Sequence, residues 1–241
     1  MNLESKGDNE REAIEVIFKS DIDLFEKVYA LDKIYGCNLN LTETGYRNLC
    51  KKLETFNEEI RKINAPPEAD KIVNRIATIP YKCKGDITGL LSEKEQKAKD
   101  KKGKDIKTRN VGFVFASKYC YFTRQTVVTR PTVDGLFIIY DKYADIAISY
   151  LESEKGNNII WKAKYNKEGE YEKYTEKVRE VLDKLKGEKV SYRDLDKYLW
   201  LFGQVLEANN NKKVAKFPTR INYIIDYNQI NLDQLKNNLS P

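Results

Sequence analysis

Apolar residues recur at three- and four-residue intervals through much of this chain, and that spacing narrows the fold more than any other feature. From Asn9 to Tyr35 it is kept by Ile14, Ile17, Phe18, Leu24, Phe25, Val28 and Tyr29. Such a period lines up side chains on one face of an α-helix. Two helices are expected there, interrupted near Ser20 and Asp21, after a flexible tail over residues 1–9. "TETGYRNLCKKLETFNEEIRKI" continues the pattern with Thr42 as N-cap. Pro67 suits the opening of a further helix over 67–79, and "PYKCKGD" then reads as a loop.

The second half is read in the same way. Residues 110–122 predict an apolar helix, and "TRQTVVTRPTVDG" a loop or a short β-hairpin. "LFIIYD" leads into a helix over 142–151 with Asp141 as its cap. Residues 170–186 are amphipathic. "SYRDLDKYLWLFG" predicts a helix with Ser191 as N-cap, Asp194 as its capping-box partner and Gly203 as its stop. Beyond it come a polar linker, a strand-like "RINYIIDY" and a short terminal helix. The expected class is mainly α with a small β element.

Composition limits the chemistry. The 241 residues contain no histidine, which removes Ser-His-Asp and Cys-His catalysis and His-ligated metal sites. Cys37, Cys50, Cys83 and Cys120 form no CxxC pair, so reduced thiols in a cytoplasmic protein are expected, with neither metal nor cofactor. The polar, acidic opening "MNLESKGDNERE" is unlike a signal peptide, and no apolar run reaches the length of a membrane span. The net charge of +6 is compatible with a nucleic-acid partner without requiring one.

"VGFVFASKYCYF" (111–122) places Lys118 among Phe113, Phe115, Tyr119 and Phe122. A lysine there must be paired, reach water along its own stem, or lose its proton. A free amine is a nucleophile that forms a Schiff base with an electrophilic sugar carbon. Asp141 follows 23 residues later, at an expected helix start; a carboxylate stabilises the oxocarbenium character of a breaking glycosidic bond. Each residue also has a plain structural reading, a snorkelling lysine and a capping aspartate. Ahead of this helix, "SEKEQKAKDKKGKDIKTRN" (92–110) carries eight Lys or Arg in nineteen residues. It reads as a solvated loop or as a basic hairpin, turning at Gly103, that sets Lys101, Lys102, Lys104, Lys107 and Arg109 on a phosphate backbone.

Three islands, "FVFASKYCYF", "IIYDKYADIAISYL" and "SYRDLDKYLWLFG", resemble the helix-hairpin-helix DNA glycosylases, in particular the bacterial and archaeal 8-oxoguanine glycosylases. The likeness spans roughly residues 105–205. It departs from the family at Thr123, where histidine is usual, at Ile138, where proline is usual, and in lacking the GxG turn of the hairpin. The resemblance implies two helical lobes around a cleft, roughly 10–90 and 91–205, with a C-terminal extension over 206–241. It implies a monomer that binds double-stranded DNA, flips out an oxidised or modified base and excises it, with associated lyase activity. Lys118 would be the Schiff-base nucleophile and Asp141 the catalytic carboxylate. Trp200 would stack on the flipped base, Asp196 would accept hydrogen bonds from its edge, and Phe122 would form the opposite wall. The alternative is a helical DNA-binding or interaction protein without catalysis, for example in phage defence.

Overall fold

The computed structural model describes residues 3–82, 108–110, 112–126, 135–151, 165, 170–185 and 190–210. Among these, the chain is mainly helical. It divides into two units, Met1–Ile139 and Tyr140–Pro241. The boundary lies well past the expected division near residue 90.

The first unit opens with α1 (Leu3–Lys19) and α2 (Leu24–Ile34). α1 begins at Leu3, so residues expected in a tail are helical. The break between the two helices falls where Ser20 and Asp21 predict it. Asp23 caps α2 by accepting from the Glu26 amide at 2.8 Å. Thr42 caps α3 (Glu43–Lys62) by accepting from the Gly45 amide at 3.2 Å. α4 (Pro66–Ala77) starts with its prolines in the first turn, where a missing N–H costs nothing. β1 (Pro80–Lys82) pairs antiparallel with β2 (Thr108–Asn110), Tyr81 opposite Arg109. "PYKCKGD" is therefore not all loop; its first residues are half of a two-stranded ladder that brackets the lysine-rich stretch. α5 (Gly112–Gln125) follows directly and packs on α1, α2, α3 and α4. This is why the helix carrying Lys118 belongs with the first unit. The core beneath it is made of Ile14, Phe18, Leu31, Leu49, Leu53, Ile76, Phe115 and Phe122.

The second unit contains α6 (Lys142–Leu151), α7 (Tyr171–Lys184) and α8 (Tyr192–Asn210). α6 packs chiefly on α8 and also on α7. The expected capping box of α8 is present. Ser191 Oγ donates to Asp194 Oδ2 at 2.6 Å, the Ser191 amide donates to the same oxygen at 3.1 Å, and the Asp194 amide donates to Ser191 Oγ at 3.2 Å. Gly203 does not stop this helix, which runs on to Asn210. Asp145, fully buried on α6, accepts from Tyr140 Oη at 2.6 Å and from the Tyr165 amide at 2.9 Å. It ties both flanks of α6 to its interior face. The linker, strand-like segment and terminal helix expected after residue 210 lie outside the described residues.

Candidate functional site

Lys118 sits in the middle of α5 and is 6% exposed. Its Nζ donates to the Tyr35 carbonyl at 2.9 Å and lies 4.4 Å from the centre of the Tyr35 ring. Tyr35 is the C-cap of α2. The lysine thus meets the negative end of a helix dipole and the electron-rich face of an aromatic ring. No carboxylate forms an ion pair with it among the described residues. Of the options open to a lysine in an apolar helix, this one is paired, but with neutral partners.

The neighbouring rings close around it. Phe122, one turn on, is fully buried. It packs at 5.5 Å from Phe18, 5.5 Å from Tyr35 and 5.2 Å from Tyr121, the last two edge to face. Phe122, which the resemblance makes a wall of the base pocket, is thus packed against three other aromatic rings. Tyr119, on an adjoining face of α5, donates to Asn57 Oδ1. Burial holds its hydroxyl well above the ordinary range. Tyr119 and Thr123 line a cavity of about 280 Å³ with Lys27, Glu54, Asn57 and Arg61. Lys118 is not among its lining residues.

Asp141 is the N-cap of α6, as expected. Its Oδ1 accepts from the Tyr143 amide at 2.8 Å, and its carbonyl accepts from the Asp145 amide at 2.9 Å. The side chain is half-buried. One carboxylate oxygen is thus engaged by the backbone at the first turn of the helix.

Asp196, Trp200, Gly203 and Glu207 follow one another at helical spacing and form a stripe on α8. That stripe meets the first turn of α6. Lys142 pairs with Glu207. The Tyr143 ring stands perpendicular to Trp200 at 6.2 Å. A Cβ on Gly203 would fall 1.8 Å from the Tyr143 carbonyl oxygen. Trp200 keeps 36% of its surface exposed, so it is not an ordinary core residue. Asp196 receives a long contact from Tyr192 Oη at 3.5 Å. The hydroxyl of buried Tyr174 is pushed well above its ordinary value, first by burial and then by Asp196, Asp141 and Asp145. Asp141 and Asp196 therefore act on one shared neighbour, and the second unit gathers Asp141, Asp196 and Trp200 into one region.

Lys101, Lys102, Lys104 and Lys107 lie outside the described residues. Arg109 is placed by its backbone, in β2 opposite Tyr81. Two participants had no sequence signal. Tyr35 acts through its carbonyl, 83 residues before Lys118. Tyr143 is one of 16 tyrosines, and only the crossing of α6 with α8 singles it out. No described helix is long and apolar enough to cross a membrane.

No family model matches the chain, and no curated protein or solved structure is found to be similar to it. The functional reading therefore rests on the residues and their geometry.

Proposed function

We propose that this chain is a DNA glycosylase with lyase activity, acting on an oxidised or otherwise modified base. The observation that supports it most is the setting of Lys118. A buried lysine with a purely structural role is ordinarily matched by a carboxylate, because an unpaired buried charge is costly. Among the described residues, Lys118 has only a carbonyl and a ring. Both are contacts that a side chain can leave without stranding a second charge.

In the proposed reaction the bond between C1′ and the base nitrogen breaks, and the base leaves with its electron pair and takes up a proton. The lone pair of Lys118 Nζ forms a bond to C1′, and the sugar ring opens to a protonated Schiff base. Asp141 stabilises the positive charge that develops on the sugar. Loss of a C2′ proton then expels the 3′ oxygen with its phosphate, and water releases the lysine. Trp200 supplies a stacking face and Asp196 an acceptor for the N–H groups of the base edge. Lys101, Lys102, Lys104, Lys107 and Arg109 contact phosphates.

One pair of observations favours a second reading, a DNA-binding or interaction module without chemistry. Asp141 already serves as a helix cap, and Lys118 already ties α5 to the end of α2. Strand scission on a panel of duplexes carrying oxidised purines, other modified bases and abasic sites separates the two. Nicking of at least one duplex supports the glycosylase-lyase; binding without nicking across the panel supports the module.

A further inference from the structure

The partner of Lys118 belongs to a turn with unusual backbone. Between α2 and α3, Gly36, Asn38 and Asn40 have φ of 67°, 55° and 54°. Non-glycine residues with positive φ are uncommon, and here two stand within three positions. The turn is pinned from below. Asp32, 3% exposed on α2, accepts from the Leu39 amide at 2.7 Å with Oδ1. Its Oδ2 accepts from Tyr46 Oη at 2.5 Å and from Lys33 Nζ at 2.9 Å. Asn38 Nδ2 donates to the Gly36 carbonyl at 3.1 Å. A single carboxylate on α2 thus holds the turn at Leu39 and α3 at Tyr46, and the residue where the turn leaves α2, Tyr35, carries the carbonyl and the ring that hold Lys118.

We infer that the α2–α3 turn is a positioning device for the Lys118 amine, with Tyr35 as its contact residue. The role rests on the proposed glycosylase-lyase reading. An amine that must meet C1′ needs a defined starting point, because a displacement of about 1 Å from the reactive geometry costs up to about a hundredfold in rate. A long lysine stem has little rotamer preference of its own. The Tyr35 ring restricts where Nζ lies, and the carbonyl restricts its direction. Gly36 allows this, because its left-handed φ turns the chain immediately after Tyr35 and leaves the carbonyl directed at α5. Backbone strain concentrated beside a candidate nucleophile is what such a role requires, and structures retain it where the surroundings enforce it.

The test compares Tyr35→Leu, which keeps the backbone and an apolar side chain but removes the ring, with Tyr35→Phe, which keeps both contacts. Gly36→Ala serves as a second variant that keeps the ring and strains the turn. Two quantities are read in the full-length protein. One is the single-turnover rate of borohydride trapping on a pre-formed abasic duplex at saturating DNA. The other is the NMR shift of the Lys118 ε-methylene, assigned by its loss in Lys118→Arg and displaced upfield in wild type by the Tyr35 ring current.

Tyr35→Leu is expected to return that resonance toward the value of a free lysine and to slow trapping by about tenfold or more. Duplex affinity should stay within about threefold, since phosphate contacts supply it. Tyr35→Phe should restore both readouts, and Gly36→Ala should slow trapping with the resonance only partly moved. Wild-type trapping rates in Tyr35→Leu and Gly36→Ala, despite a displaced resonance, would overturn the positioning role and leave the glycosylase reading intact. Absence of trapping by the wild-type protein, with the ring-current shift present, would remove the glycosylase reading and this role with it.

Discussion

The carbonyl oxygen of Tyr143 lies 1.8 Å from the place a Cβ on residue 203 would occupy, so α6 and α8 touch through the missing side chain of Gly203. The obstacle is backbone, with the Tyr143 carbonyl carbon at 2.4 Å and its Cα at 2.8 Å, and no side-chain rotation relieves it. This contact sets the first turn of α6 against α8 and carries Asp141 with it. Gly203→Ala should therefore destabilise the second unit. Helix propensity alone would make alanine better by about 1 kcal/mol. The overlap should outweigh it, for a net loss of about 3 kcal/mol. Chemical denaturation of the variant checks this; a gain in stability would mean that the two helices separate freely at this point.

Trp200 gives a contrasting expectation. Its ring is partly exposed, and its one aromatic neighbour among the described residues, Tyr143, is perpendicular to it. Trp200→Ala should cost about 1 kcal/mol of stability, the scale of a single aromatic pair. It should lower excision of the substrate base by an amount matching lost stacking, about 1–3 kcal/mol. Cleavage at a pre-formed abasic site, which offers no base to stack, should change little. Paired single-turnover assays on lesion and abasic duplexes measure the difference; equal slowing on both would assign Trp200 to packing alone.

The start of α8 has its own pH signature. Hydrogen bonds from the Ser191 side chain and backbone hold the Asp194 carboxyl below its ordinary 3.8. Its native value is depressed, so its stabilisation is complete above 3.8 and is lost as pH falls through the lower native value. Ser191→Ala should cost about 1 kcal/mol at neutral pH, and the gap to wild type should shrink in that acid range. Urea midpoints at neutral and acid pH test both statements. A gap that stays constant down to pH of about 2 would contradict them.

At the other end of the scale, buried phenols dominate. Burial, then Asp32, pushes Tyr46 up to about 12, and burial does the same for Tyr198. Tyr119, Tyr140 and Tyr174 are displaced upward as well, each first by burial. Between the ordinary value of 10.0 and these raised values, the unfolded chain releases protons that the native chain retains. Stability must then fall as pH rises. Denaturation midpoints measured in steps from about pH 8 to about pH 11 should be flat at first and then decline steeply. A flat profile throughout would place these hydroxyls in water.

Much of the helical frame could be read from local signals. Thr42, the prolines that open α4, and the Ser191–Asp194 pair are short-range devices whose partners lie within a turn, and each is found where the sequence predicts it. Gly203 reads as a stop because a glycine after an apolar run satisfies that pattern equally well, and only α6 reveals the close approach. Phe122 stands one turn after Lys118 on α5, but the rings of Phe18, Tyr35 and the adjacent Tyr121 pack against it, and the first two come from distant parts of the chain. β1 has no signal of its own, because three residues carry no usable alternation and the pairing partner stands at the far end of the lysine-rich stretch. For the site, Lys118 and Asp141 stood out as residue types out of place or at a boundary. Tyr35 did not, since a backbone carbonyl has no residue-type signature.

The central claim is that the Lys118 amine attacks the sugar. The most direct measurement is borohydride reduction of the protein mixed with abasic and lesion-bearing duplexes, followed by peptide mapping of the covalent adduct by mass spectrometry. The account predicts an adduct on the α5 peptide, attached at Lys118, and its disappearance in Lys118→Gln with duplex affinity kept within about threefold. An adduct mapped to any other amine, or undiminished trapping by Lys118→Gln, would contradict it.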